Sequence, residues 1–259
     1  LIAACDPEEL VILRRGPAGS EGRPLAALPL QPSKKRRVLR MTKLHLDATR
    51  SAALFASRTV LVEGVTDALL VRQFGRVWAR GDAGREQFID ALTITVIGTK
   101  VGEWPVQLLA TPGHEISSRL AVLRDSDNRT GDDPQPPFWL KNYDPNVVRI
   151  FISHPTLEPS ITSGNEDAVR EALEAIGITP PDPLTPFTVD MLFSSTSKKK
   201  AEFAFELAAT LARRLEANEA VCVPAHLASM YAFLYGEDSP EQSGEAAVSA
   251  ELASASMPS

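Results

Sequence analysis

Acidic residues follow several apolar segments of the sequence at short distances, where they could together hold a metal ion. Glu63 closes one apolar, β-branched run and Asp67 lies four residues beyond it, while Asp125 and Asp127 close another run and Glu158 follows a third. The spacing of two between Asp125 and Asp127 predicts that both side chains lie on one face of the chain. Carboxylates gathered in one place repel one another without a cation, and hard divalent ions such as Mg²⁺ take oxygen ligands. The five acids therefore indicate a divalent-metal site, provided that the fold brings the ends of these runs together.

The apolar runs have the pattern of strands buried on both faces, because they are continuously apolar rather than alternating. Helical patterns lie between them, and this alternation is typical of an α/β fold with a mostly parallel sheet flanked by helices. Thr66 is the expected N-cap of the first helix and Gly75 its end. In such a sheet, ligands bind outside the carboxyl ends of the strands, which is where the acids fall. We expect four strands, at 59–62, 92–97, 120–124 and 147–152, with helices at 67–74 and 104–109.

The pattern of the first fifty residues predicts a lead-in or linker with short strands. A short strand is expected at 9–13, and the Gly/Pro-rich segment from Gly16 to Pro32 predicts a loop. Asp47 could cap a short helix at 48–56. The basic run Lys34–Arg37 is compatible with a solvated linker and with a phosphate-binding segment, and the sequence leaves both open.

The part of the chain after residue 164 predicts an additional helical region. Amphipathic patterns cover 166–176, 198–216 and 225–235, with a Pro-rich stretch at 180–186, and a Ser/Ala/Glu-rich tail follows them. We therefore divide the chain into a lead-in or linker at 1–50, a core at 51–165, a helical region at 166–236 that completes the same domain, and a disordered tail at 237–259.

Composition excludes several classes of protein. Hydrophobic residues make up 44% and charged residues 23% of the 259 residues, which is ordinary globular usage and argues against a largely disordered chain. No apolar run approaches the ~18 residues of a membrane span. The two distant cysteines, Cys5 and Cys222, form neither a disulfide framework nor a zinc motif, so we expect a cytoplasmic location. Because the sequence starts at Leu1 with an acidic cluster, and with neither an initiator Met nor a secretory signal, we interpret it as part of a longer protein.

Three consecutive lysines, Lys198–Lys200, stand at the start of a predicted helix, although the positive end of a helix dipole disfavours cations. A conflict between local rules is expected where function overrides stability, and a lysine near a scissile phosphate would neutralise developing charge. The net charge of −6 speaks against nucleic acid as a partner when it is taken alone. However, the carboxylates of a metal site make the net charge more negative, although the metal that they hold binds phosphate.

Two motifs carry a resemblance to a known module. Leu61-Val62-Glu63-Gly64-Val65-Thr66-Asp67, followed by Arg124-Asp125-Ser126-Asp127, resembles a Toprim domain, the module that topoisomerases, primases and several nucleases share. The segments at 44–56 and 156–158, together with Lys200-Ala201-Glu202-Phe203-Ala204, narrow the similarity to the OLD (overcoming lysogenization defect) family of ATP-dependent nucleases. The resemblance covers roughly residues 40–235, and it implies a metal-dependent DNA endonuclease with a Toprim-type α/β core.

The resemblance also implies roles for individual residues. The catalytic set would be Glu63, Asp67, Asp125, Asp127, Glu158 and Lys200, and its five acids would bind two Mg²⁺ or Mn²⁺ ions. Glu63 with the Asp125/Asp127 pair would hold one ion, and Asp67 with Glu158 the other. Gly64 and Ser126 would line the site through backbone groups or by supporting the ligands. None of the four histidines has ligand spacing and each is expected to be packing or surface, with His154 singled out because it precedes the segment at 156–158. DNA phosphates would be bound by Lys198, Lys199, Arg124 and Arg129.

The sequence carries no G-x-x-x-x-G-K-[ST] motif, and we therefore expect no ATP site in it. The resemblance implies that an N-terminal ATPase region, which dimerises the protein, lies outside this sequence. One alternative is another Toprim enzyme, either primase-like or an RNA-processing nuclease, although no zinc or nucleotide-binding element of a primase is visible. A second alternative is a regulatory module whose acids bind metal or DNA without cleavage. The presence of all five acids with a nearby lysine speaks against this second alternative.

Overall fold

Four apolar segments form the strands of one sheet, close to the positions that the sequence predicts. The computed structural model describes residues 5–16, 19–45, 50–129 and 134–237. A two-stranded antiparallel hairpin, β1 (Val11–Gly16) and β2 (Gly19–Pro24), precedes the sheet of β3 (Arg58–Val62), β4 (Thr93–Val96), β5 (Arg119–Asp125) and β6 (Val148–Ser153). The order is β4-β3-β5-β6, and every neighbouring pair is parallel. The predicted α/β fold, with a four-stranded parallel sheet flanked by helices, is confirmed.

The helices lie on both faces of this sheet. Short 3₁₀ turns cover Pro7–Glu9, Leu25–Ala27, Arg50–Leu54, Phe138–Asn142 and Ser197–Lys199. No helix within the described residues is long and apolar enough to cross a membrane. The helices are α1 (Pro32–His45), α2 (Val65–Ala79), α3 (Ala83–Ala91), α4 (Glu103–Ala110), α5 (Leu157–Ser160), α6 (Glu166–Ala175), α7 (Pro186–Ser195), α8 (Lys200–Glu216) and α9 (Ala225–Tyr235).

Successive side chains of the strands divide between two hydrophobic layers. Val60 and Val62 of β3 face a layer that contains buried residues of α2, α3 and α6 to α9. Leu61 faces the opposite layer, which contains buried residues of the lead-in, α1 and α4. Alternate residues of β5 divide in the same way. Because both faces are covered, the strands carry continuous apolar runs rather than an alternating pattern.

The order of the strands creates a crevice at the carboxyl edge of the sheet. The chain passes from β3 to β4 on one side, and the next crossover returns to place β5 on the other side of β3. The carboxyl ends of β3 and β5 therefore flank the topological switch point, the position at which open α/β sheets bind ligands. Backbone hydrogen bonds hold this edge together beyond the strands, since Gly98 N donates to Glu63 O and Ser126 N to Ser153 O, each over 2.9 Å.

The lead-in has more regular structure than the sequence predicts. The expected loop from Gly16 to Pro32 is wrong, because β2 pairs with β1 along its length although it offers no apolar pattern. The strand expected at 9–13 is β1 at 11–16, and the basic run Lys34–Arg37 lies on α1. That helix is strongly basic, and its buried residues are Val38, Leu39 and Thr42. Asp47 lies outside the described residues, as does the tail from 238 onward.

Helix α2 differs from its prediction at both ends. Its N-cap is Gly64 rather than Thr66, and it continues past Gly75 to Ala79. Gly75 permits close packing of α3 rather than ending the helix, because a Cβ there would stand 3.0 Å from Ile89 Cδ1. Helices α1, α3, α5 and α7 are absent from the prediction. α8 begins at Lys200 after a 3₁₀ turn, with no side chain bonded to its first N–H groups.

Helix α9 closes the amino edge of the sheet. Arg58, the first residue of β3, donates to the carbonyl of Tyr235 over 3.1 Å, and Arg119, the first residue of β5, donates to that of Phe233. Buried Tyr231 donates its hydroxyl to Val71 O of α2 over 2.6 Å. The two arginines thus bond carbonyls in the last turn of α9, where helical C=O groups lack intrahelical partners.

Candidate active site

The carboxyl edge of the sheet gathers the five predicted acids around the switch point. Glu63 follows β3, Asp125 is the last residue of β5 and Asp127 lies two residues beyond it, while Asp67 stands in the first turn of α2 and Glu158 in α5 after β6. The carboxylate of Asp125 is close enough to those of Asp67, Glu158 and Glu63 for their charges to act on it. Glu63 also interacts with Asp127. Four separate elements therefore bring these acids together.

Asp67 is held by the N-terminus of α2. Its Oδ2 accepts the N–H of Gly64 over 2.8 Å, and the hydroxyl of Thr66 lies 3.5 Å from Oδ1. Burial raises the pKa of Asp67, the Gly64 bond lowers it, and the neighbouring charge of Glu158 raises it further. Gly64 thus contacts the site through its backbone.

Asp125 and Glu63 carry charges that the described residues compensate incompletely. Burial, together with the charges of Asp67, Glu158 and Glu63, raises the pKa of Asp125 to about 8, and the charge of Lys200 opposes this rise. Burial also raises the pKa of Glu63. One carboxylate oxygen of Glu63, Oε1, is buried and has no hydrogen-bond partner among the described residues. A cation in the crevice would favour the charged form of each of these carboxyls.

Asp127 lies beyond the end of β5 and pairs with a lysine. Its φ of +56° is left-handed, and its N–H donates to Pro155 O over 3.0 Å. Its carboxylate accepts a hydrogen bond from the ammonium of Lys100. Because β5 ends at Asp125 and the backbone is left-handed at Asp127, strand alternation does not set the direction of Asp127, and the shared face of Asp125 and Asp127 stays a prediction.

Glu158 is the most deeply buried of the five acids, with 5% of its surface exposed. Its Oε2 accepts hydrogen bonds from Lys200 Nζ over 2.9 Å and from the hydroxyl of Thr156 over 2.8 Å. Lys200, the first residue of α8, therefore reaches the acid cluster and lies close to Asp67 and Asp125 as well.

Ser126 and His154 connect the loops that follow β5 and β6. The hydroxyl of Ser126 lies 2.9 Å from His154 Nδ1 and donates to Pro155 O over 3.2 Å. It also accepts the N–H of Asn128 over 3.2 Å. Ser126 therefore fixes the loop between the two aspartates, and His154 supports it from the neighbouring strand end.

The basic residues predicted to bind phosphate have different surroundings. Arg129 makes two hydrogen bonds, of 2.8 and 2.9 Å, to the carboxylate of Asp190 on α7, so this guanidinium already has an anionic partner. Lys199 pairs with Glu202, and Lys198 is exposed. Arg124 is half-buried beside Asp125, and its charge lowers the pKa of Glu63. The run Lys34–Arg37 lies on α1, whose buried residues join the layer opposite α2 and α8.

Lys100 is a site residue that the sequence reasoning missed. It follows β4 by four residues, after Gly98 has turned the chain with a φ of +85°. Its ammonium contacts Asp127, and its charge lowers the pKa of Glu63. The signal for it was present, because Lys100 follows a predicted strand just as the acids do.

The donors at this edge suit a hard divalent cation, although two of them are already paired with lysines. No group of three Asp, Glu, His or Cys side chains is arranged to hold a metal in the part of the chain that the structure describes. Lys100 and Lys200 take up carboxylate oxygens of Asp127 and Glu158. The orphaned oxygen of Glu63 and the raised pKa values of Glu63, Asp67 and Asp125 indicate that positive charge is still lacking. Oxygen-only donors of this kind match Mg²⁺ or Mn²⁺.

The comparisons with known proteins find similarity of structure but none of sequence. No protein-family model matches the chain, and no curated protein matches its sequence. The fold is similar to the solved C-terminal region of the Burkholderia pseudomallei OLD protein, with 18% sequence identity and a TM-score of 0.49. The match covers 70% of this chain and 97% of that one.

Proposed function

We propose that this chain is a divalent-metal-dependent DNA endonuclease, the nuclease half of an OLD-like protein. The observation that carries the proposal is the collection of five acids, from four elements, at the topological switch point of a parallel sheet. The Toprim and OLD-like motifs of the sequence favour the same activity. In a longer protein, an ATPase region and dimerisation would act on this nuclease region.

The acids and Lys200 have separate roles in the proposed reaction. Glu63, Asp67, Asp125, Asp127 and Glu158 would hold Mg²⁺ or Mn²⁺, which supplies an activated water and stabilises the leaving oxygen of a phosphodiester. Lys200 would neutralise charge that develops on the phosphate, because its ammonium lies at the edge of the acid cluster, bonded to Glu158. Gly64 N–H fixes the direction of Asp67, and Ser126 fixes the loop that carries Asp127.

A non-catalytic module that binds metal or DNA is the second candidate. It is favoured by the lysine contacts at Asp127 and Glu158, which give two of the acids an internal cation. Turnover separates the two candidates, whereas metal binding alone does not.

The first test is cleavage of supercoiled plasmid in Mg²⁺, in Mn²⁺ and in EDTA. We expect metal-dependent nicking or linearisation, and we expect Glu63→Gln and Asp127→Asn each to lower the rate by more than about 100-fold, beyond the ~10–100-fold typical of residues that only support a ligand. DNA binding, measured by fluorescence anisotropy, should be largely retained in both variants.

Asp167→Asn is the matched control, since it neutralises an exposed acid of α6 outside the cluster. The control should cut at the wild-type rate. Wild-type cutting by Glu63→Gln or Asp127→Asn would show that the acids are wrongly assigned. A protein that binds metal and DNA but cuts with neither ion would support the non-catalytic module.

A further inference from the structure

Lys100 is anchored by its backbone at the entrance to the acid cluster. The ladder between β3 and β4 continues past both strands, because Ile97 N donates to Val62 O and Gly98 N to Glu63 O, each over 2.9 Å. Gly98 then turns the chain, and Lys100 follows two residues later. The backbone beside Glu63 is therefore fixed, while the long side chain of Lys100 remains free to change its direction.

The side chain of Lys100 spans the carboxyl end of the central strand. It starts behind β4 and reaches the carboxylate of Asp127 behind β5, so it crosses over the end of β3, where Glu63 lies. Of the favourable charges that act on Glu63, that of Lys100 is the largest. Lys100 thus supplies positive charge to both Asp127 and Glu63.

The two lysines of the cluster differ in how easily they can move. The Lys200 side chain is 30% exposed and its partner Glu158 is 7% exposed, so their contact lies mostly within the protein. The Lys100 side chain is 43% exposed and that of Asp127 is 58% exposed. A pair this open to solvent is weak and is readily exchanged for other partners.

We propose that Lys100 is a displaceable counter-ion, which binds Asp127 when no metal is present and binds a DNA phosphate when a divalent ion takes Asp127. The inference rests on the proposed function for the metal and for the DNA. An ammonium and a divalent ion compete for the same carboxylate oxygens, so metal binding releases the lysine. Because its backbone is fixed beside Glu63, the released ammonium stays at the mouth of the crevice, where a phosphate chain would pass.

The test compares Lys100→Met and Lys100→Arg with the wild-type protein in two binding measurements. Titration with Mn²⁺ alone, followed by calorimetry, should show that Lys100→Met binds the ion about three- to tenfold more tightly, since the competing charge is gone. Anisotropy of a short labelled DNA duplex in Ca²⁺ should show that the same variant binds DNA about three- to tenfold more weakly. In EDTA this difference in DNA affinity should disappear, and Lys100→Arg should restore DNA binding in Ca²⁺.

Lys43→Met is the matched control, because it removes one lysine from a solvent-exposed pair with Asp6. It should change neither affinity. Equal or weaker Mn²⁺ binding by Lys100→Met would overturn the proposal, even if the wild-type protein cuts DNA. Unchanged DNA affinity of Lys100→Met in Ca²⁺ would also overturn it. If the wild-type protein binds no Mn²⁺, the proposed function fails together with this inference.

Discussion

At the scale of single residues, the acid cluster fixes the direction of its side chains without compensating their charge. Asp67 accepts a backbone N–H and Glu158 accepts two donors, yet burial and mutual repulsion raise the pKa of Asp67 and bring that of Asp125 to about 8. In a site that served stability alone, cationic partners would normally neutralise these buried carboxylates. Its persistence at one edge of the sheet is expected of a site where function overrides stability.

The charge conflict predicts that Asp125→Asn stabilises the metal-free protein. The pKa of Asp125 is about 8 in the folded state against an ordinary 3.8, so the folded state binds more protons between these values and loses stability as the pH rises through them. The advantage of the variant should therefore grow from about pH 4 to pH 8, to roughly 1–2 kcal/mol or ~2–8 °C in Tm. Thermal unfolding in EDTA measures it.

The same measurement with Mn²⁺ present tests whether Asp125 contributes to metal binding. Mn²⁺ should raise the Tm of the wild-type protein, because it binds the folded state alone, and should raise that of Asp125→Asn much less. Asp167→Asn, as the control, should unfold like the wild-type protein under both conditions. A Tm for Asp125→Asn below the wild-type value in EDTA would contradict the electrostatic account.

Sequence reasoning reached the acids but not their directions. The acids were predictable because Glu63 and Asp125 each close a run whose apolar pattern marks the end of a buried strand. The direction of Asp127 was not predictable, because it depends on a left-handed backbone that the neighbouring loop holds through Pro155 O. Lys100 depends on which strands are neighbours, and strand order is not written in any local pattern.

At the scale of elements, the site depends on helices with weak sequence signals. The strands were predictable because both of their faces are buried. α3 has a weak amphipathic pattern, because Ile89 is its one buried residue. α7 follows a Pro-rich stretch, which predicts a loop rather than a helix. Nevertheless, α7 supplies Asp190, which binds Arg129 and so holds the chain beyond Asp127.

Helix α9 gives the protein a predicted sensitivity to acid. His226 lies in its first turn with Nε2 3.2 Å from the hydroxyl of Ser153 at the end of β6, and burial lowers the pKa of this imidazole to about 4. In the unfolded chain the imidazole of His226 is protonated near pH 6.5, whereas in the folded protein it stays neutral down to about pH 4. The free energy of unfolding is therefore highest above pH 6.5 and decreases as the pH falls toward 4. A shift of this size corresponds to at most about 3 kcal/mol.

His226→Gln should therefore flatten the dependence of unfolding free energy on pH between about 6.5 and 4. Urea unfolding at a series of pH values measures this slope. His45→Gln, which changes a histidine of α1 stacked on Trp104, is the control. A slope for His226→Gln equal to that of the wild-type protein would contradict the prediction.

At the scale of the whole molecule, the lead-in contributes one wall of the hydrophobic layer beneath the sheet. Leu25, Leu28 and Val38 are fully buried and belong to the cluster that contains Leu61 of β3. The sequence did not indicate this wall, because its apolar residues are scattered among Gly, Pro and basic residues. The division into a lead-in, a core and a helical region stays a prediction, which the stability of the lead-in can test.

Leu28→Ala should lower the unfolding free energy by about 2–4 kcal/mol, because it leaves a cavity in a packed layer. Leu13→Ala is the matched control, since Leu13 belongs to the same lead-in but is 73% exposed, and its effect should stay within about 0.5 kcal/mol. Unfolding should remain a single transition in all three proteins. A separate early transition in Leu28→Ala would show that the lead-in unfolds independently of the sheet.

The hydrogen bonds that join Arg58 and Arg119 to the C-terminus of α9 have a consequence for folding during synthesis. Arg58 and Tyr235 are joined although 177 residues separate them, and Arg119 and Phe233 although 114 do. During synthesis, the strands leave the ribosome long before the helix that covers their amino edge, so their apolar faces wait for a late partner. The nascent sheet is therefore exposed to aggregation and to chaperones until α9 has emerged from the ribosome. Slow codons placed ahead of α9 would lengthen that exposure.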